Sequence, residues 1–265
     1  MFKRISSTFV VMILGTWVLG FVFTPYAQGA YEEIDVTNGG SISGVVKLDG
    51  DVPAPEEINI DKDQEVCAVH TPKYYEKLIV DKASKGIKNA VVYLYKVKKG
   101  KKWELADLPN EEARKRMAER HFVLGQKECT FNPHVQVIPA GSSVELRNGD
   151  SLMHNLHSYS MKNSSFNESI PGGGQPIAKT FQFREVVKVG CDVHKWMSAW
   201  IVVQDNPYFC VTGDDGSYKI TNIPPGEYKL RIWHEAFKKK DLKAQKKKLK
   251  VEAGKEVNVD FALSS

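Results

Sequence analysis

The chain has 265 residues, of which 42% are hydrophobic and 26% are charged, with 20 Gly and 12 Pro. This composition is that of a folded protein and excludes disordered, collagen-like and polytopic membrane proteins. The four cysteines contain no Cys-X-X-Cys pair, so zinc-ribbon and thioredoxin-like sites are excluded as well.

The positive charge is concentrated in one stretch. The formal net charge is +5, but residues 238–250 contain eight Lys and one Asp, so the rest of the chain sums to 5 − 7 = −2. Because no nucleic-acid-binding motif surrounds this run, we expect no nucleic-acid partner. The run is either a solvated edge or a docking surface for an acidic partner or an anionic membrane face, formed by the lysines Lys238, Lys239, Lys240, Lys246, Lys247 and Lys248.

The N-terminus has the layout of a secretory leader. Two basic residues, Lys3 and Arg4, precede an apolar run from 8 to 23 and a stretch of small residues ending at Ala30. We therefore predict a cleavable signal peptide over 1–30 and a periplasmic or otherwise extracytoplasmic mature protein, which is a disulfide-permitting environment. An uncleaved leader, which would attach the chain to a membrane, is the alternative.

The mature chain shows strand patterns and turn signals almost throughout. Short β-branched and aromatic runs at 41–48 and 90–95 predict strands, and the Pro- and charge-rich segment between them predicts a long loop without a helix. A short surface helix is predicted within an insert at 98–119, with acidic residues in its first turn. Strands then recur at short intervals from 135 onwards, within a unit at 120–206, and again within a unit at 207–265. The predicted fold class is all-β, with two β-sandwiches and one short helix.

The C-terminal unit, 207–265, carries turn sequences that resemble a known sandwich family. Asp215-Gly216-Ser217-Tyr218 and the segment 223–228 are similar to those of the carboxypeptidase regulatory-like (transthyretin-like) β-sandwich, and residues 40–45 and 89–94 are similar to its opening strands. This resemblance implies that 39–97 and 207–263 form one discontinuous sandwich, with the Lys-rich run at its edge and the middle unit inserted between its strands.

Two segments carry metal-binding chemistry. The first is Asn148–Asn155, with the pattern Asn-X-Asp-X-X-X-His-Asn, and the second is Cys191–Met197, with the pattern Cys-X-X-His-X-X-Met. Together they resemble the ligand motifs of cupredoxins (blue-copper proteins). The spacing of the second segment is that of the amicyanin type, the shortest common version of the ligand loop. The resemblance covers 120–204. It implies a Greek-key sandwich with one type-1 copper centre whose ligands are His154, Cys191, His194 and Met197. A thiolate, two imidazoles and a thioether together suit both Cu(I) and Cu(II).

Residues beside the ligands take supporting roles under the same resemblance. Asn155 would hydrogen-bond across to the ligand loop, and Asn148 would lie beside the ligands and support them. Trp196 and Met197 would form an apolar surface around a solvent-edge His194, through which electrons pass to a docked partner. His157 lies three residues after His154, which on a strand directs it to the opposite face. A bulge could make it an additional ligand, and an exposed position near the site is the other interpretation.

Three cysteines remain if Cys191 binds the metal. We predict a disulfide between Cys67 and Cys129, because a free exposed thiol is a liability in an oxidising compartment. Cys210 lies in an apolar run and is expected to be a small buried residue.

These features predict an extracytoplasmic type-1 copper protein that carries single electrons between partners such as c-type cytochromes or a larger oxidoreductase complex. The alternative is a structural or assembly subunit of such a complex, with the copper site vestigial or absent. Copper delivery ranks below both, because only 6 Met and 7 His are present. No enzyme activity is predicted, since the paired His-X-His motifs of multicopper oxidases and the usual hydrolase triads are missing from the sequence.

Overall fold

The structure, a computed structural model, describes residues 31–103, 115 and 121–264, and this part of the chain is built almost entirely of β-strands. The predicted all-β, multi-sandwich class is therefore confirmed. The predicted leader and most of the predicted helical insert lie outside the described residues. Among the helices within the described residues, none is long and apolar enough to span a membrane.

The first sandwich is made of nine strands from the middle of the sequence. Its strands are β5 Phe122–Lys127, β6 Thr130–Asn132, β7 Val135–Pro139, β8 Ser142–Asn148, β9 His154–Tyr159, β10 Asn167–Ile170, β11 Ile177–Phe181, β12 Glu185–Gly190 and β13 Ser198–Gln204. One sheet has the order β10-β9-β12-β13-β7 and the other the order β11-β8-β5-β6. Apolar side chains from both sheets form a common core, which includes Leu124, Leu146, Leu156, Val189 and Ile201.

The second sandwich combines strands from the two ends of the described chain. Its strands are β2 Gly40–Asp49, β3 Val91–Leu94, β14 Phe209–Val211, β15 Ser217–Ile223, β16 Gly226–Trp233, β17 Lys247–Val251, β18 Glu256–Asn258 and β19 Phe261–Ser264. One sheet has the order β14-β3-β16-β17, and in the other β2 lies between β15 and β18 and also pairs with β19. A separate two-stranded parallel pair joins β1 Glu32–Glu33 to β4 Lys99–Gly100.

Strand β2 shows why this sequence forms a sheet with one buried face. Its residues alternate between buried and more accessible positions, and Ile42, Val46 and Leu48 point into the second core. A period of two residues is what a strand produces when only one face is covered.

The prediction that 52–77 has no helix is wrong. This segment contains the helix α1, Gln64–His70. A second short helix, α2 Lys239–Ala244, lies in the lysine run near the C-terminus. Helices this short are marginal by propensity, so their formation depends on tertiary contacts. For α1 the contact is a disulfide: Cys67 is fully buried and bonded to Cys129, with their Cα atoms 5.5 Å apart.

Candidate metal centre

The candidate ligands are brought together by neighbouring strands of one sheet. His154 is the first residue of β9, and Cys191, His194 and Met197 lie in the connection between β12 and β13. Because β12 pairs with both β9 and β13, the end of β9 and the ligand loop occupy the same edge of the sheet. Residues almost forty positions apart in sequence thereby become neighbours.

The ligand loop is held by its own backbone. The Met197 amide donates to the His194 carbonyl at 2.9 Å, and the Cys191 amide donates to the Met197 carbonyl at 3.3 Å. The His194 amide points at the Cys191 sulfur, at 3.3 Å. These contacts fix the tight turn that directs the cysteine and the histidine to a common point. Met197 is buried in the same core as the loop.

The side-chain donors of three predicted ligands converge in a buried position. The ligand atoms of His154, Cys191 and His194 all lie within 4.8 Å of one another. His154 Nδ1 is 2.8 Å from His194 Nδ1, and the Cys191 sulfur is 3.7 Å from the same His194 nitrogen. Both histidines are completely buried.

The other nitrogen of each ring faces a carboxylate. His154 Nε2 is 2.8 Å from Asp150 Oδ2, and His194 Nε2 is 2.8 Å from Asp63 Oδ2. Because a carboxylate only accepts hydrogen bonds, each Nε2 must carry the proton, which leaves a lone pair on each Nδ1. Two lone pairs held 2.8 Å apart beside a sulfur repel each other unless a cation lies against them. A proton shared by the two rings or a metal ion meets that requirement, and two imidazoles with a cysteine sulfur are donors that bind copper, so the residues present fit a bound metal.

The ionisation of the histidine and its carboxylate partner suits metal binding. Burial lowers the pKa of His154 and so favours the neutral ring that a metal needs. Burial alone would disfavour the Asp150 carboxylate, but backbone hydrogen bonds from Cys129 and Glu128 outweigh it and hold the pKa of Asp150 below its usual range. Asp150 therefore keeps its charge beside His154. The Cys129 sulfur, although close to this pair, is unavailable because it is in the disulfide.

The two asparagines of the first motif make hydrogen bonds to different parts of the site: Asn155 contacts the ligand loop, and Asn148 contacts the turn before His154. Asn155 Oδ1 accepts from the Asp192 amide at 2.6 Å, which joins β9 to the ligand loop. Asn148 donates to the carbonyls of Leu152 and Ile170, at 2.7 and 2.8 Å, and so orders the turn that leads into His154.

His157 does not join the cluster. Its ring nitrogen lies 3.1 Å from both carboxylate oxygens of Asp192, and the ring stacks on Tyr159. The hydrogen bond with His157, followed by that with Asn167, keeps the pKa of Asp192 low. The strand therefore remains regular here, as its backbone pairing with Asn167 also shows, and the bulge that would turn His157 toward the metal is not formed.

Two predictions about the site surface are wrong. His194 is not at a solvent edge, because it is fully buried and Asp63 covers its outer nitrogen. Trp196 forms no exposed docking surface: it is 5% exposed, packs with its ring centroid 5.1 Å from that of His194, and donates from Nε1 to the Cys129 carbonyl at 3.1 Å. Both departures arise because 52–77 and the hairpin carrying Cys129 pack over the ligand loop.

The remaining predicted surface is accessible. The six lysines of the docking prediction are all exposed, three at the start of α2 and three in or just before β17. Beside the ligand loop, a cavity of about 300 Å³ is lined by Tyr74, Tyr75, His134, Trp196 and Met197 among others.

Sequence reasoning missed the two carboxylates that contact the ligand rings. Asp150 lies inside the first motif, four residues before His154, and this spacing was the available signal. Asp63 lies 131 residues from its histidine, in a segment without a motif, so no sequence pattern indicated it.

Comparison with known proteins places the likeness in a limited part of the chain. No protein-family model and no curated protein sequence matches. Among solved structures, the chain is similar over 32% of its length to a Cu-containing nitrite reductase from Thermus scotoductus, with 21% identity, 22% of that protein covered and a TM-score of 0.30. It is similar over 38% to amicyanin from Paracoccus versutus, with 22% identity, 89% covered and a TM-score of 0.28. A purple cupredoxin from Nitrosopumilus maritimus matches over 31%, with 23% identity, 96% covered and a TM-score of 0.27.

Proposed function

We propose that this chain is an extracytoplasmic protein with one type-1 copper centre, which carries single electrons between redox partners. The observation that supports this most strongly is the convergence of two Nδ1 lone pairs and the Cys191 sulfur in one buried position. Imidazole and thiolate donors suit copper in both oxidation states, and Met197, buried in the same loop, would add a weak thioether ligand. Bound there, copper would supply a one-electron couple that a thiolate and imidazoles alone lack.

The protein's own residues would keep the site rigid and dry. His154 and His194 are fixed by their carboxylates, Cys191 by the loop amides, and the loop itself by Asn155. A rigid site limits the rearrangement of ligands that accompanies a change of oxidation state, and this is the property that an electron carrier needs. Because Cys191 and both rings are buried and the outer nitrogen of each ring contacts a carboxylate, we propose a carrier and not an enzyme.

The proposed compartment and partner follow from features outside the site. The disulfide and the predicted leader are consistent with export. The exposed lysines of α2 and β17 would steer an acidic partner, such as a c-type cytochrome or an oxidoreductase complex, and we expect the association rate to fall as salt rises. Lysine-to-glutamine changes at Lys246, Lys247 and Lys248 should weaken that salt dependence and leave the spectrum of the copper centre unchanged.

A spectrum of the metal-loaded protein tests the copper assignment. With Cu(II), the wild-type chain should show strong visible absorption from sulfur-to-copper charge transfer, and Cys191→Ser should abolish it without altering the fold. Zinc provides the control, because it occupies similar donors but has no redox state to give such a band. A colourless wild-type protein with bound copper would contradict the assignment.

The structural or assembly role remains the second candidate, and one observation favours it. The outer nitrogen of His194, where a carrier would release its electron, is covered by Asp63. An assembly subunit needs no open redox edge. If Cys191→Ser keeps the full affinity for a partner complex and wild-type protein takes up no copper, the assembly role replaces the carrier.

A further inference from the structure

One carboxylate near the centre comes from outside the first sandwich. Asp63 lies in the segment 52–77, which lies between β2 and β3 and precedes the first sandwich in the sequence. Its Oδ2 accepts a hydrogen bond from His194 Nε2 at 2.8 Å. The pair is asymmetric: the His194 side chain is fully buried and that of Asp63 is 38% exposed. The partly exposed carboxylate therefore closes the outer edge of the buried ring.

The backbone at Asp63 indicates that this contact decides its conformation. Asp63 is the N-cap of α1, where an aspartate ordinarily accepts a hydrogen bond from its own helix, but it makes no side-chain cap bond. Its φ of 46° and ψ of 42° place it in the left-handed region, which is uncommon for a residue with a side chain. The Asp63 side chain therefore makes no capping hydrogen bond to α1, and its backbone is strained. Its carboxylate contacts His194 instead.

The segment that carries Asp63 is fixed to the first sandwich. Cys67, one turn into α1, is bonded to Cys129, and the Thr71 hydroxyl donates to the Glu128 carbonyl at 3.2 Å. Ile58 and Ile60 pack against the first core. These attachments on both sides of Asp63 hold its carboxylate at the ring.

The same hairpin serves the other histidine. The amides of Glu128 and Cys129 donate to the carboxylate of Asp150, at 2.7 and 2.9 Å, and Asp150 holds His154. The disulfide therefore joins two segments that serve the two rings. One is α1, which begins at Asp63, the carboxylate that contacts His194. The other is the β5–β6 hairpin, whose amides hold Asp150, the carboxylate that contacts His154.

We propose that Asp63 is a positioning residue for the metal centre: it fixes His194 as the Nε2–H tautomer, aims Nδ1 at the metal position and closes the outer ring edge to solvent. This inference rests on the proposed function and adds to it a shielded centre. A carboxylate hydrogen-bonded to a ligand ring stabilises the higher charge of a bound metal, so Asp63 would lower the reduction potential of copper held here and slow its loss.

The experiment compares the full chain in four forms: wild type, Asp63→Asn, Asp63→Ala and the control Glu65→Gln. Glu65 is an exposed carboxylate on the same helix, so its change removes an equal charge nearby. Asp63→Asn keeps the size of the side chain and an acceptor oxygen, and it guards against loss of α1 in the alanine variant. Circular dichroism and an intact disulfide confirm the fold of each form.

The first measurement needs no metal. Nitrogen-15 NMR of the metal-free protein should show His194 as the Nε2–H tautomer with slow solvent exchange in wild type and Glu65→Gln; the signal is assigned by its loss in His194→Gln. In Asp63→Ala the exchange should become fast. Equal exchange protection in Asp63→Ala and wild type would overturn the proposal, whether or not the chain binds copper.

The second measurement uses copper. Competition with a chelator for Cu(I) should show affinity about 10- to 100-fold weaker in Asp63→Ala, and the reduction potential should rise in both Asp63 variants but not in Glu65→Gln. Unchanged affinity and potential would overturn the proposed role. If wild type binds no copper while its His194 proton is protected by Asp63, the copper function fails and the positioning of His194 by Asp63 stands.

Discussion

The charge of a single residue, Asp150, contributes to the stability of the folded protein. Its two oxygens accept from the amides of Glu128 and Cys129, at 2.7 and 2.9 Å, and one of them also accepts from His154. These hydrogen bonds stabilise the charged form, so the native pKa lies below the ordinary value of 3.8. A group with a depressed native pKa adds stability above its unfolded pKa, and this stability is lost as pH falls through the native pKa.

We therefore expect Asp150→Asn to destabilise the metal-free protein at neutral pH and to matter progressively less in acid. The measurement is the difference in Tm between wild type and variant at a series of pH values from 7 down to about 3, and this difference should shrink as pH falls below 3.8. Asp214→Asn, at a highly exposed carboxylate, is the control and should change little. A difference in Tm that is constant over this range would contradict the role assigned to the Asp150 charge.

Among the elements of the fold, helix α1 is attached by a covalent bond to the β5–β6 hairpin. The Cys67–Cys129 disulfide spans 62 residues and is fully buried at both ends. Closing a loop of this length restricts the unfolded chain, and the bond also keeps α1 on the hairpin β5–β6.

Removing the bond in a Cys67→Ala/Cys129→Ala variant should lower the free energy of unfolding by about 4 kcal/mol. Denaturant titration without reductant gives this value, and adding reductant to wild-type protein should approach it. Cys210→Ala is the matched control, since Cys210 is a free buried cysteine that closes no loop. A loss no greater than in this control would show that non-covalent contacts alone hold α1.

At the scale of the whole molecule, strand β3 joins the two sandwiches. Val91 belongs to the first core and Val92 to the second, and the neighbouring strand β14 divides in the same way, with Phe209 in the first core and Cys210 in the second. A sheet covered on both faces requires consecutive apolar residues, as β3 has. The two sandwiches therefore share a packed sheet and are not connected only by chain.

A polar contact crosses the same boundary. His134, just before β7, hydrogen-bonds Glu235, which follows β16, and Trp200 Nε1 donates to the same carboxylate at 2.9 Å. Burial opposes protonation of His134, but Glu235 outweighs it and raises the His134 pKa above its ordinary value of 6.5. A raised native pKa adds stability below the unfolded pKa, and this stability is lost as pH rises through the native pKa.

Glu235→Gln should consequently lower Tm most below pH 6.5, and the difference from wild type should shrink toward alkaline pH. Thermal unfolding from about pH 5.5 to 9 measures this. Glu252→Gln, which removes an exposed ion pair with Lys255, serves as the control. A difference that grows with pH would show that the contact does not depend on charged His134.

The sequence by itself determined the all-β class and most strands, because alternating burial leaves a period of two along each strand, as in β2. The resemblance of two segments to cupredoxin ligand motifs also predicted that His154, Cys191 and His194 would lie together, which they do. The sequence did not predict strands β5 and β10 or helices α1 and α2. These segments are short and have weak patterns, and they are stabilised by partners distant in sequence.

Only the tertiary structure decided how the cluster of His154, Cys191 and His194 is enclosed. His194, Trp196 and Asp63 were expected at a surface or given no role, yet the packing of 52–77 buries the first two and brings the third to the ring. Burial and hydrogen bonding between residues 131 positions apart are properties of the folded chain and leave no local pattern in the sequence. Local patterns thus specify strands and donor types, whereas long-range packing specifies which donor is exposed, which is shielded and which charge lies beside it.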